Sequence, residues 1–161
     1  RSAHFIEGED EQQSEKYIRQ GQILHNLFAM IHTPDDIPSA LKRLKMEGVI
    51  ESKAHEESIV KLVNWALGHP KVKEWFNGEW TLYNECAILY RKDGEVLQTK
   101  RPDRVMRKDD EVVVVDFKFG KPNPEYNEQV GRYMKLLREM GYKQVRGYLW
   151  YVYRNTLEEI K

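Results

Sequence analysis

Apolar residues recur along the first half of the chain with the spacing of a helix. Leu24, Leu27, Phe28 and Ile31 stand at i, i+3, i+4 and i+7 and share one face. They predict a helix over 15–32, stopped by Thr33-Pro34. The polar residues 1–14, with Gly8, Glu9, Asp10 and Glu11, read as a flexible terminus or linker end. Asp35 and Asp36 sit where caps belong, and 37–47 reads as a second helix ended by Gly48. A third helix covers 51–67, with Ile59, Leu62, Val63 and Ala66 in phase, and Gly68-His69-Pro70 breaks it. A short helical turn through Val72, Trp75 and Phe76 ends at Asn77-Gly78.

The period then changes. Residues 80–90 are rich in aromatic and apolar side chains and read as a strand. Asp93-Gly94 is a strong hairpin signal, and 95–106 reads as the returning strand, with Pro102 fit only for an edge or a bulge. Lys108-Asp109-Asp110 makes a second turn. The four valines at 112–115 make 111–118 a central strand buried on both faces. Gly120-Lys121-Pro122 ends it. Asn123 caps a helix that has Pro124 at its first position and Gly141 after its end. A last strand covers 145–153. The expected class is α/β, one domain over 15–161, with a helical part at 15–79 and a β-β-β-α-β sheet core at 80–161. The final helix is a crossover, right-handed if its two strands are parallel.

Composition narrows the class. The 161 residues suit one domain. The 4 Trp, 9 Tyr and 5 Phe exclude a disordered chain. A mean hydropathy of −0.74 and the lack of a long apolar run argue against a membrane span. The single cysteine, Cys86, excludes a disulfide scaffold, a four-cysteine zinc site and an iron–sulfur cluster held by four cysteines of this chain. It fits a reducing compartment, so a cytoplasmic location is expected. The net charge of +0 announces no nucleic-acid binder. The chain opens on Arg1 with no visible signal peptide, and reads as a mature fragment or a domain excised from a longer protein.

The candidate chemistry centres on the valine strand. Asp116 and Lys118 are two apart, so they share a face, about 6.6 Å from one another along the strand. A carboxylate and a lysine at the end of a buried strand are unfavourable there unless paired or used. Asp103, just after Pro102 on the neighbouring strand, can come within a few ångströms of Asp116. Two converging carboxylates repel, and a divalent cation relieves the repulsion. The plainer alternative is a surface charge pair in which Lys118 neutralises Asp116. Lys135, Arg138, Lys143, Arg146 and Arg154 are interleaved with Tyr148, Trp150, Tyr151 and Tyr153. Such a mixture either binds single strands or places the aromatics in the sheet core with the basic groups solvated. His32, His55 and His69 have no motif around them and read as surface residues.

Taken in order, five pieces carry a resemblance. They are Gly21-x-x-x-His25, Asn84-Glu85, Arg101-Pro102-Asp103-Arg104-Val105, Val115-Asp116-Phe117-Lys118-Phe119-Gly120 and Tyr126-x-x-Gln129-Val130-x-x-Tyr133. Over nearly the whole chain the sequence resembles the RecB-type nuclease domain of the PD-(D/E)XK superfamily. It looks most like the C-terminal nuclease domain of AddA-type (UvrD-like) helicase-nucleases. Lys100-Arg101-Pro102 stands where the family usually has a glycine, a departure that touches turn geometry and no ligand.

The resemblance implies a restriction-endonuclease-like core with an N-terminal helical layer that supplies His25. It implies a metal-dependent deoxyribonuclease, an exonuclease of DNA end processing and recombinational repair. His25, Asp103, Asp116 and the backbone carbonyl of Phe117 would bind Mg²⁺ or Mn²⁺. Lys118 would orient or activate the attacking water, and Gln129 and Tyr133 would help hold the nucleic acid or the site. Glu85, Arg104 and Tyr126 are accessory candidates. Implied partners are DNA, helicase domains of the same full-length chain and an AddB-like subunit, with no membrane. No phosphate-binding loop of the Gly-x-x-x-x-Gly-Lys-Ser/Thr type occurs, so no ATP site is expected in these residues. One alternative is a catalytically silent nuclease-fold module for DNA binding or subunit docking. Another is a CRISPR-associated RecB-like single-strand nuclease, whose four-cysteine iron–sulfur cluster this chain cannot build.

Overall fold

Four helices come first: α1 (Ser2–Met30), α2 (Ile37–Met46), α3 (Lys53–Leu67) and α4 (Pro70–Trp75), with a 3₁₀ turn at Pro34–Asp36. The computed structural model describes the backbone of residues 2–83, 88–92 and 96–161, and the side chains of 13–83 and 101–161. The helix of α1 begins at Ser2, not at residue 15. Residues 2–14 lack an apolar stripe, which is why the pattern misses them. Their glutamates and glutamines are good helix formers that extend a helix already nucleated by its packed half.

Caps fix the layer. The Ser52 hydroxyl accepts from the His55 amide at 3.1 Å. The Asp36 carboxylate accepts from the amides of His32 and Thr33 at 2.8 and 3.1 Å. The three histidines read as surface residues are half-buried turn fasteners. The His32 ring bonds the Trp80 carbonyl at 2.7 Å. The rings of His55 and His69 accept from the amides of Glu51 and Lys71. Local bonds of this kind leave no periodic signal in a sequence.

The rest is β1 (Thr81–Leu82), β2 (Ile88–Lys92), β3 (Val96–Lys100), β4 (Arg104–Lys108), β5 (Glu111–Lys118), α5 (Pro124–Glu139), β6 (Gln144–Tyr151) and β7 (Thr156–Ile160). The main sheet runs β1-β4-β5-β6-β7. β5 is central, antiparallel to β4 and parallel to β6, and α5 is the crossover between the parallel pair. This is an α/β fold consistent with a restriction-endonuclease-like core.

Two expectations change. The segments read as single strands over 80–90 and 95–106 are each split, and β2 and β3 pair with one another in a separate two-stranded sheet. Pro102, which has no N–H to donate, falls in the gap between β3 and β4. The Asp93-Gly94 turn lies outside the described residues. A seventh strand, β7, follows a turn at Asn155, whose φ of 49° is in the left-handed region. The Asn155 side chain accepts from the Trp150 indole at 3.0 Å and holds that turn. Only Leu157 and Ile160 are apolar in β7, too few to announce a strand.

The valines divide between two cores, as pleating requires. Val113 and Val115, with Phe117, Tyr148 and Trp150, pack against Leu24, Phe28, Val63 and Trp75 of the helical layer. Val112, Val114 and Leu149 pack against Val130, Met134 and Leu137 of α5. Tyr148, Trp150 and Tyr151 therefore fill the sheet core, the second of the two readings of that segment. Gly147 sets the seat of α5: a Cβ there would stand 2.4 Å from Met134 Sδ and 2.7 Å from Val130 Cγ1. Among the described residues no helix is long and apolar enough to cross a membrane.

Candidate active site

The C-terminal end of β5 gathers the chemistry. Asp116 is 3% exposed. Its Oδ1 accepts from the Asp103 backbone amide at 3.1 Å. Asp103 Oδ2 in turn accepts from the Phe117 amide at 2.7 Å. Each carboxylate thus bonds the other strand's backbone, which stitches the last turn before β4 to the end of β5. The remaining oxygen, Asp103 Oδ1, meets His25 Nε2. His25 comes from α1 and lies edge-on to the Phe117 ring, at 5.9 Å between centroids.

Gly21 explains how α1 comes so near. A Cβ at Gly21 would stand 3.2 Å from the Phe119 side chain, so the bare backbone lets the helix lie against the residue that follows Lys118 without displacing it. His25, one turn further on, then stands over the strand end. The spacing Gly21-x-x-x-His25 thus has a packing cause.

Burial is the first reason the Asp116 carboxyl is pushed up to about 6, and the charge of Asp103 is the second. The Asp103 amide, Lys118 and His25 pull the other way. His25 is raised above its ordinary range, first by its bond to Asp103 and against the effect of burial. The pair of carboxylates is short of positive charge.

Lys118 lies with its Nζ 4.2 Å from the centroid of the Tyr126 ring, in the first turn of α5. Tyr126 thereby joins the site through Lys118. Gln129 is half-buried further along α5. Tyr133 is 3% exposed and packs in the α5 core with Val130 and Met134. Phe117, expected through its carbonyl, is tied to the site by its amide and its ring. Glu85 lies outside the described residues.

Arg104 turns to the opposite face. Its guanidinium donates to the carbonyls of Ile31 at 2.7 Å, Trp75 at 2.9 Å and His32 at 3.4 Å. It lies 3.9 Å over the Phe76 ring. These carbonyls belong to the C-terminal ends of α1 and α4, where helices leave acceptors unpaired. Arg104, an accessory candidate by the resemblance, does not join the carboxylates, because neighbours on an extended backbone point apart. Asn26, next to His25 on α1, helps raise it and is marked by no motif.

The pattern of the PD-(D/E)XK nuclease superfamily matches residues 2–160. The chain belongs to this superfamily. Pro102-Asp103 and Asp116-Phe117-Lys118 spell out the superfamily's name, and the second carboxylate here is aspartate. No curated protein matches the chain. PD-(D/E)XK proteins are generally nucleases and generally use divalent metals. Among the described residues, no group of three or more His, Cys, Asp or Glu is arranged around a metal position. The three donors that do meet are hydrogen-bonded to one another or to backbone amides. As chemistry the set fits a hard cation: two carboxylates, one buried and short of countercharge, and an imidazole.

Proposed function

We propose that this chain is a divalent-metal-dependent deoxyribonuclease, an exonuclease, and the nuclease domain of a RecB- or AddA-type helicase-nuclease. The observation that carries this is the stitched pair of Asp103 and Asp116 beside Lys118. His25, Asp103, Asp116 and the Phe117 carbonyl would hold Mg²⁺ or Mn²⁺, which when bound polarises a phosphodiester and makes hydroxide available near neutral pH. A cation would replace the proton that His25 and Asp103 share. Lys118, steadied by Tyr126, places positive charge where the phosphate gains negative charge. Of the two α5 residues, Gln129 is assigned to holding the nucleic acid, and Tyr133, buried in the α5 core, to holding the site.

In the full protein the domain acts in DNA end processing and recombinational repair, beside helicase domains of the same chain and an AddB-like subunit, in the cytoplasm. The test is incubation with labelled single- and double-stranded DNA in Mg²⁺, Mn²⁺ or EDTA. Cleavage that requires the metal and shortens strands from an end supports the proposal. Binding without cleavage under any metal would leave the silent DNA-binding module in its place.

A further inference from the structure

A cleft of about 570 Å³ opens along α1 and shares His25 with the site. Tyr17, Ile18, Gln22, Asn26 and Phe119 complete most of its lining, and none of its residues is acidic. Two large apolar side chains are left exposed on its rim, Tyr17 at 60% and Ile18 at 64%. The aromatic groups are braced: Tyr17 stands edge-on to Tyr153 at 6.0 Å, and Phe119 edge-on to Tyr153 at 5.4 Å. The Tyr153 hydroxyl donates to the Tyr17 carbonyl at 3.0 Å, which pins α1 at that level. Gln22 and Asn26 stand one turn apart on the same helix and carry amide donors and acceptors.

We infer that this cleft is a stacking subsite for an unpaired base of a single-stranded nucleic acid whose adjoining phosphate lies at the carboxylates. The inference rests on the nuclease reading and adds the substrate's form. Four features select this occupant. The exposed Tyr17 ring offers apolar surface on which any base stacks, at a strength that tolerates sequence. The amides suit base edges. The lack of acidic groups spares a phosphate chain from repulsion. The cleft runs without a break into His25, so a strand lying in it leads to the site. A duplex keeps its bases stacked on one another and has no ring to offer.

The test measures binding alone, in EDTA, with a fluorescent oligothymidine of about 12 nucleotides, within the usual span of a single-strand site. A blunt duplex of the same length is the comparison. Tyr17→Ala is expected to weaken oligothymidine binding about tenfold. Tyr17→Phe should retain binding, since the ring and not the hydroxyl makes the contact. Ile18→Glu should weaken it at least as much as Tyr17→Ala by placing a negative charge on the rim. Duplex affinity should stay within about twofold in all three. Thermal melts check folding, and the Tyr17 carbonyl that Tyr153 uses survives every substitution. Unchanged oligothymidine binding in both Tyr17→Ala and Ile18→Glu overturns the inference, and so does an equal loss for the duplex. A chain that never cleaves DNA, yet loses oligothymidine with Tyr17→Ala, defeats the nuclease reading and leaves the stacking subsite standing.

Discussion

Arg104 and Asp116 are two buried charges on adjacent central strands, and they face opposite layers. Arg104 is 1% exposed and Asp116 3% exposed. Arg104 is lowered to about 9 by burial, so it keeps its charge at neutral pH, and three helix-end carbonyls and an aromatic ring meet it. Asp116 has one backbone amide and a second carboxylate close by, and is pushed up to about 6. A buried charge whose bonds are complete holds a structure together. A buried charge set against its own sign is a place prepared for something else. The contrast separates the fold-making half of the Asp103-Arg104 dipeptide from the site-making half.

The most severe test of that contrast is Asp116→Asn. Metal-dependent cleavage should fall by at least ~10³-fold, beyond the loss of one charge-stabilising donor, in a single-turnover assay. Stability should move the other way. A carboxyl raised from 3.8 to about 6 adds stability that is fully present below pH 3.8 and is lost as pH rises through about 6. The metal-free variant should therefore match the parent near pH 3.5 and exceed it above pH 7 by up to about 3 kcal/mol. Denaturant titrations at the two pH values read this directly. A variant less stable than the parent at pH 7 would show that Asp116 is structural after all.

Arg104→Met should show the reverse. Three carbonyls lose their donor in a dry place, and about 3–5 kcal/mol of stability should go. Below its melting point the folded variant should cleave within about tenfold of the parent rate. A folded variant with no cleavage would erase the contrast.

Lys118→Met lies on the Asp116 side and should cut cleavage by about 100-fold while Mn²⁺ binding by calorimetry holds or tightens. Lys118→Arg should restore only part of the rate, because a planar guanidinium cannot take the place of a point charge. Loss of metal binding in Lys118→Met would make the lysine a structural member of the site. The smallest effect is expected from His25→Ala. Its Mn²⁺ affinity should drop by about tenfold, near the low end for a lost metal-site group, with a melting temperature close to the parent's. A sharp fall in melting temperature at constant affinity would make His25 a packing residue and not a ligand.

Much of this fold is written in hydrophobic spacing. The helical layer, the valine strand and the crossover helix each bury a face, and burial leaves a period that can be read. The approach of Asp103 to Asp116 is also legible, because strand alternation and a short turn constrain it. Other features are built from single bonds. The carbonyls that hold Arg104 lie 29, 72 and 73 residues away and carry no side-chain signature. The split of the hairpin strands turns on a gap around Pro102, and β7 hangs on the turn at Asn155. Backbone acceptors and left-handed turns leave only isolated residues in a sequence, without a pattern to single them out.

The bond between His25 and Asp103 joins residues 78 apart, one from the helical layer and one from the sheet. Neither element carries the site alone, so the contact requires the helical layer docked on the sheet. The imidazole and the carboxylates are therefore not one site in a nascent or half-folded chain, which has the sheet or the helices but not their docking. Competence to cut would appear in a single step, with the completed domain. Thermal or proteolytic opening of the helical layer would withdraw it in the same step, along with the core that the sheet shares with those helices. For a domain of a nuclease superfamily, that makes the fold its safety catch.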